Sequence, residues 1–217
     1  MSDTIKFPLV LLIITVVCGA VLTGLYQVTK GPIAAMEKMK KEKSIREIFG
    51  PDAEITEKSA EIPAADGKKE TVAYFEVKMK DDPEGRYYAV IGKSAKCYNS
   101  AEPLQIMVGV RVLEDGKFKV KKIAVVKSAE TPGLGENIKN TEKKSLFDIL
   151  FGRAEDEPGK DKRVFLRQFN DRDPAQLKLK QDGGVIDGIT GATITSRAVT
   201  YAVEDALQKL KKILGAE

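Results

Sequence analysis

Histidine is absent from this chain of 217 residues, and only two cysteines occur. Without histidine, the chain cannot supply a Ser-His-Asp triad, a Cys-His dyad, a histidine-ligated zinc site or a haem-ligating imidazole. The two cysteines, Cys18 and Cys97, are too few for an iron–sulfur cluster site or a disulfide framework. These classes of catalytic and metal site are therefore excluded, and no metal site is expected.

A strong charge imbalance is also missing. Charged residues make up 31% of the chain, but the two signs nearly cancel and the net charge is +4. A charge this small gives no indication of a nucleic-acid partner, and no RNA-binding aromatic motif is present. A hydrophobic content of 42% is enough for a folded core.

Residues 7–28 form the longest apolar run and contain no charged residue. A bilayer requires about 20 apolar residues in helical form, and Tyr26 lies where an interfacial aromatic residue is expected. A cleaved signal peptide would have a shorter apolar core, and a lipoprotein site at Cys18 would need small residues where Val16 and Val17 stand. We therefore predict one uncleaved transmembrane anchor over residues 1–30, in contact with membrane lipid.

The basic residues around this run indicate an orientation. Only Lys6 precedes it, whereas six basic residues follow it: Lys30, Lys38, Lys40, Lys41, Lys43 and Arg46. The positive-inside rule would keep the region after the anchor in the cytoplasm, although the rule weakens for long translocated domains.

The remaining patterns predict an α+β fold. Residues 31–70 are interpreted as a connector, with a helix over 33–49 that ends at Gly50-Pro51 and a polar loop over 52–70. Four strands follow, at 71–79, 86–93, 104–112 and 118–127. Strict alternation predicts one buried face for the third strand, Asp115-Gly116 predicts a hairpin turn, and Lys121-Lys122 suggests a bulge. We expect a twisted antiparallel sheet with flanking helices over residues 71–217.

Hydroxyl residues and glycines are concentrated just before the last helical pattern, in Asp187-Gly188-Ile189-Thr190-Gly191-Ala192-Thr193-Ile194-Thr195-Ser196. Apolar residues recur at helical spacing from Val199 to Leu214. A turn that opens a helix presents free backbone N–H groups, which suit a phosphate. The alternative is that Thr193 or Thr195 is only the helix N-cap.

A second unusual segment is Glu130-Thr131-Pro132-Gly133-Leu134-Gly135. Proline fixes the backbone there, and the two glycines permit close approach of another group. The segment is either a rigid loop that presents Leu134 to a ligand or a tight loop with that leucine in the core.

Together, these two motifs resemble those of the FMN-binding domain found in the G subunit of Rnf complexes and in the C subunit of the Na⁺-pumping NADH:quinone reductase. The resemblance covers roughly residues 88–210 and the anchor. It implies that FMN is attached through a phosphoester to Thr195, the last threonine of the first motif. It also implies that Thr131 and Leu134 lie against the isoalloxazine ring. The other cofactor-binding residues implied are Glu130, Gly133, Gly135, Asp187, Thr190, Gly191, Ala192, Thr193 and Ser196.

The same resemblance implies a function. The chain would be an electron-carrier subunit of an ion-translocating ferredoxin:NAD⁺ oxidoreductase (Rnf) complex, working with other membrane and iron–sulfur subunits. A Mg²⁺-dependent flavin transferase using FAD would attach the cofactor, with Asp187 as a candidate recognition residue. The domain would be extracytoplasmic, on a single-pass anchor in a bacterial or archaeal cell membrane, against the positive-inside rule. Alternatives are the C subunit of the quinone reductase, a stand-alone extracytoplasmic FMN reductase, and a non-redox binding module.

One segment departs from the family pattern. Relatives tend to have Gly-Tyr-Gly-Gly where this chain has Cys97-Tyr98-Asn99-Ser100. The missing glycines imply a different backbone there, which would matter if the turn lines the flavin.

Overall fold

The structure is a computed structural model that describes residues 3–63, 69–131, 135–139 and 164–215. The chain divides into two compact units, Met1–Glu42 and Lys43–Glu217.

A single helix, α1 (Asp3–Phe49), replaces the predicted anchor and separate second helix. The prediction of a separate helix over 33–49 was wrong, because α1 continues without interruption through Pro32. A proline removes one backbone hydrogen bond, and the good helix formers that follow continue the helix. Within the described residues, α1 is the one helix long and apolar enough to cross a membrane.

A five-stranded antiparallel sheet forms the centre of the second unit, with the strands in sequence order. The strands are β1 (Glu54–Pro63), β2 (Lys69–Lys78), β3 (Arg86–Ser94), β4 (Leu104–Val112) and β5 (Phe118–Lys127). The predicted loop over 52–70 was wrong in part, because β1 pairs with β2 along its whole length. This edge strand is mostly exposed and polar, so its sequence lacks the apolar alternation that marked the others.

The connection between β4 and β5 is confirmed in detail. Gly116 adopts a φ of +78° in the hairpin, and the N–H of Leu113 donates to the carbonyl of Lys117 at 2.9 Å. The register shifts by one residue between the Gly109–Lys122 and Val110–Val120 pairs. Lys121 is therefore the extra residue of a β-bulge, as the sequence suggested.

Both faces of the sheet are covered. On one face lies the amphipathic helix α3 (Thr193–Leu214), and α2 (Val164–Arg167) contributes to the same core cluster. The second core cluster is formed on the sheet by the end of α1, through Ile45, Ile48 and Phe49. The expectation of one buried face for β4 was wrong, since Met107 belongs to this second core and is 0% exposed. The α+β class and the antiparallel sheet are confirmed.

Candidate functional site

The first motif forms a tight turn that opens α3. Gly191 has a φ of +76°, a left-handed conformation that favours glycine. The N–H of Ala192 donates to the carbonyl of Ile189 at 3.0 Å, and Ala192 is the N-cap. The helix starts at Thr193, so neither Thr193 nor Thr195 is the capping residue, and that alternative was wrong.

Ser196 ties this turn to the helix. Its hydroxyl accepts a hydrogen bond from the N–H of Ile189 and donates one to the carbonyl of Ala192, both at 2.9 Å. The N–H of Ser196 also donates to the Ala192 carbonyl. The peptide N–H groups in the first turn of an α-helix have no partner within the helix, so those of residues 193–195 lie at the positive end of the dipole.

Thr195 connects the two motifs. Its hydroxyl donates a 2.6 Å hydrogen bond to Oε2 of Glu130, which precedes it by 65 residues. Both side chains are buried, with 3% and 8% exposure. The other carboxylate oxygen, Oε1, accepts a hydrogen bond from the N–H of Tyr98 at 3.3 Å. The turn that departs from the family pattern therefore contacts the site through its backbone.

Gly135 closes over this pair. A Cβ atom built on Gly135 would lie 2.5 Å from Oγ1 of Thr195 and 2.6 Å from Oε2 of Glu130. A side chain at this position would force Thr195 or Glu130 to move, which explains the glycine at the end of the second motif. The same segment is held by a 3.2 Å hydrogen bond from the N–H of Glu136 to the carbonyl of Thr131.

The remaining predicted site residues are placed as follows. The structure brings Glu130, Gly135 and Thr195 into one cluster with the turn of Ala192 and Ser196. Thr131, Thr190 and Gly191 are exposed, whereas Thr193 is half-buried. Gly133 and Leu134 lie outside the described residues, so their predicted contact with the flavin ring stays a prediction.

Asp187 is held at the start of the first motif by residues that the sequence did not indicate. Its N–H donates to Oε1 of Gln168 at 2.7 Å, and Nε2 of Gln168 donates to its carbonyl at 3.1 Å. Its carboxylate pairs with Lys180 at 2.7 Å. Both partners lie outside any recognisable motif. The backbone of Asp187 is therefore fixed by Gln168, and its carboxylate is exposed beside Lys180.

The adjoining segment is pinned to α3 by a second pair. Arg197 donates two 2.8 Å hydrogen bonds to the carboxylate of Asp182. The hydrogen bonds from this guanidinium hold the pKa of Asp182 below its usual range. The pair fixes the loop before the motif against the first turns of the helix.

These features fit a flavin nucleotide. The opening turn of α3 offers backbone N–H groups to a phosphate, and the exposed side chains of Tyr98 (71%) and Ile194 (53%) offer apolar surface near the same place. A flat aromatic cofactor with one phosphate needs both kinds of group.

Comparison with known proteins decides the family. The sequence model of the FMN-binding domain matches residues 100–208, about half of the chain and the part that carries both motifs. The chain belongs to the FMN-binding domain family. This membership confirms the resemblance seen in the sequence.

Curated relatives resemble almost the whole chain. The G subunit of an ion-translocating oxidoreductase complex from Shewanella amazonensis is 28% identical over 95% of this chain and 87% of its own length. The G subunit of a proton-translocating ferredoxin:NAD(+) oxidoreductase complex from Clostridium ljungdahlii is 27% identical, over 94% and 91%. The G subunit of an ion-translocating oxidoreductase complex from Pasteurella multocida is 26% identical, over 97% and 95%. No solved structure matches the chain.

Proposed function

We propose that this chain is the G subunit of an ion-translocating ferredoxin:NAD⁺ oxidoreductase complex of the Rnf type, and that it carries electrons through FMN. The named relatives are G subunits, and this chain resembles them from the anchor to the last helix. The FMN-binding domain supplies the cofactor site, and α1 supplies a membrane anchor.

Thr195 is the proposed attachment point for FMN, through a phosphoester bond. The observation that carries this choice is the contact between its hydroxyl and Glu130, which joins the two motifs. The hydroxyl of Ser196 is engaged with backbone on both sides, and Thr190 lies in the turn before the helix begins. Thr195 also lies in the first helical turn, where the dipole favours the negative charge left on a phosphodiester.

When bound, FMN supplies the one-electron chemistry, and the protein supplies position and surroundings. The first turn of α3 orients the phosphate, while Tyr98 and Ile194 offer surface to the ring. The dipole alone is worth about 0.3–1 kcal/mol at an exposed site and up to about 2 kcal/mol at a partly buried one, too little to retain the cofactor. A covalent bond keeps it at high effective concentration beside its site.

The chain cannot complete the reaction alone. Its sequence has no nicotinamide-binding fingerprint and too few cysteines for an iron–sulfur cluster. Electrons therefore enter and leave through other membrane and iron–sulfur subunits. A separate flavin transferase attaches the cofactor, and the anchor contacts lipid. Co-purification with polytopic and iron–sulfur subunits tests this assignment; isolation as a stand-alone reductase would contradict it.

Replacement of Thr195 tests the attachment site. Thr195→Val keeps the shape but removes the hydroxyl, and we expect complete loss of covalent flavin from a folded protein. Thr193→Val is the matched control and should retain it. Flavin fluorescence of the denatured protein on a gel, with intact mass, gives the result. A fluorescent Thr195→Val band beside a dark Thr193→Val band would place the bond two residues earlier.

Orientation is a separate part of the proposal. The domain is extracytoplasmic in this assignment, although the basic residues after the apolar run favour the cytoplasm. A reporter that is active only in the cytoplasm, fused after Glu217, should be silent. Strong reporter activity would show that the domain is cytoplasmic. The proposed flavin site does not depend on this result.

A further inference from the structure

The hydroxyl that would receive the flavin is occupied in this structure. Oγ1 of Thr195 donates its hydrogen to Glu130, and at 2.6 Å the bond is short, as bonds to a carboxylate are. The N–H of Tyr98 holds the second carboxylate oxygen and so orients the first one toward Thr195. With 3% of Thr195 exposed, the hydroxyl has no open face toward solvent.

The backbone of Gly135 lies against the same oxygen. A Cβ atom built on Gly135 would lie 2.5 Å from Oγ1 of Thr195 and 2.6 Å from Oε2 of Glu130. A phosphoryl group on Oγ1 therefore has to find its place beside both the Gly135 backbone and the Glu130 carboxylate, and the carboxylate is the group that contacts Oγ1 directly.

Charge gives an independent reason for the carboxylate to move. A phosphodiester on Oγ1 keeps one negative charge. Before attachment, the Glu130 carboxylate accepts a hydrogen bond from the same oxygen. Two anions in one buried place repel each other strongly, because little water is present to screen them. The carboxylate and the phosphoryl group thus compete for one position beside Thr195.

We propose that Glu130 masks Thr195 in the unmodified chain and is displaced by the phosphoryl group, so that release of this contact limits the rate of flavin attachment. This inference rests on the proposed function. In the step itself, Oγ1 of Thr195 forms a bond to the flavin-side phosphorus of FAD, and the pyrophosphate P–O bond breaks. AMP leaves with that electron pair, and the threonine proton is released. FAD and the flavin transferase are the co-reactants.

The opposite role for Glu130 has a clear signature. A hydroxyl bonded to a carboxylate is also the geometry of a nucleophile activated by a base. A base accelerates attachment and a mask slows it, so removing the carboxylate changes the rate in opposite directions.

The experiment compares full-length chains isolated without flavin and then incubated with FAD, Mg²⁺ and a flavin transferase. The initial rate of covalent labelling is followed by in-gel fluorescence and intact mass. We expect Glu130→Gln and Glu130→Ala to label about tenfold to a hundredfold faster than the unsubstituted chain, the range for losing a hydrogen bond to a charged group. Glu204→Gln, at an exposed position in α3, should label at the unsubstituted rate.

Two further variants separate masking from general loosening. Ile106→Val removes one methylene from a fully buried position in β4 and lowers stability without touching the site. If Ile106→Val and Glu130→Ala lower the melting temperature by the same amount, Ile106→Val should still label more slowly than Glu130→Ala. The double variant Glu130→Ala, Thr195→Val should not label, which shows that the faster reaction is still at Thr195.

The outcomes are distinct. Labelling of the Glu130 variants at the same or a lower rate than the unsubstituted chain overturns the mask, and a large decrease assigns Glu130 as the base. Equal rates for Ile106→Val and Glu130→Ala at matched stability also overturn it. Absence of labelling in the unsubstituted chain overturns the proposed attachment itself.

Discussion

Gly135 is the residue whose size decides whether the two motifs can meet. A methyl group there would overlap Oγ1 of Thr195 and Oε2 of Glu130. We expect Gly135→Ala to separate that pair and to lower the free energy of unfolding of the unmodified chain by about 1–3 kcal/mol. Thermal or denaturant unfolding measures the change.

Gly188→Ala is the control for this substitution. Its Cβ would find the nearest atoms at 3.8 Å, an ordinary contact distance. The control should therefore cost much less than Gly135→Ala. If the two variants lower the free energy of unfolding equally, the close approach at Gly135 does not contribute to the cost of Gly135→Ala.

Asp82 makes a pH-dependent contribution at the other face of the sheet. The hydroxyl of Tyr87 donates to its Oδ2 at 2.6 Å, and Arg111 lies 3.1 Å from the same oxygen. The hydrogen bond from Tyr87, assisted by the charge of Arg111, holds the pKa of Asp82 below its usual range. A lowered folded-state pKa stabilises the protein above the unfolded pKa of about 4, and the contribution is lost as the pH falls through the folded value.

We therefore expect Asp82→Asn to lower the melting temperature at neutral pH and to have little effect in acid. Melting curves of the variant and the unsubstituted chain across this range test the sign. Asp81→Asn, at an exposed neighbouring position, is the control. A melting-temperature difference that grows as the pH falls would contradict the assignment.

Sequence patterns located the two motifs but not the contact between them. Both motifs were recognisable, yet the bond from Thr195 to Glu130 spans 65 residues and no local pattern encodes it. The Tyr98 contact uses a backbone N–H, which every residue except proline carries, so it leaves no sequence signal. Gln168 was missed because one glutamine in a short apolar segment has no distinctive spacing.

At the scale of elements, apolar alternation was sufficient where a strand has a buried face. It located β2 to β5, and the adjacent lysines located the bulge at Lys121. Alternation failed for β1, in which Ile62 is the one buried residue, because an edge strand can be polar over most of its length. The sequence also predicted a separate helix from residue 33, whereas α1 continues through Pro32. The surrounding residues favour helix strongly enough to tolerate the one lost hydrogen bond.

The contact between β3 and α3 provides a test at this scale. A Cβ atom on Gly92 would overlap the carbonyl of Ala202 and lie 2.9 Å from Cβ of Ala206. Backbone cannot yield as a flexible side chain does, so we expect Gly92→Ala to push α3 from the sheet. The cost should be about 1–3 kcal/mol in unfolding free energy.

Lys93→Ala, at the next and exposed position, is the control and should change stability by about 0.5 kcal/mol or less. Because α3 also carries Thr195, Gly92→Ala should reduce the extent of covalent flavin attachment as well. Unchanged stability in Gly92→Ala would mean that the helix is free to shift on the sheet.

At the scale of the whole molecule, the apolar run predicted a helix long and apolar enough to cross a membrane, which α1 is, and a folded region after it. What the sequence could not indicate is where that region begins. The second compact unit starts at Lys43, inside α1. The sequence pattern from residue 33 was interpreted as a helix within a connector. In the structure, Ile45 and Phe49 of this helix pack in the core on the sheet, with 0% and 6% exposure.

This shared use of α1 limits where a protease, or an experimenter preparing a soluble fragment, can cut the chain. A fragment beginning at residue 43 keeps the apolar plug of Ile45, Ile48 and Phe49, and we expect it to stay monomeric without detergent. A fragment beginning at residue 50 lacks the plug and uncovers Phe75 and Met107. It should bind a hydrophobic dye and aggregate, as exposed apolar patches do. Light scattering of the two fragments distinguishes them, and equal solubility would show that the sheet folds without residues 43–49 of α1.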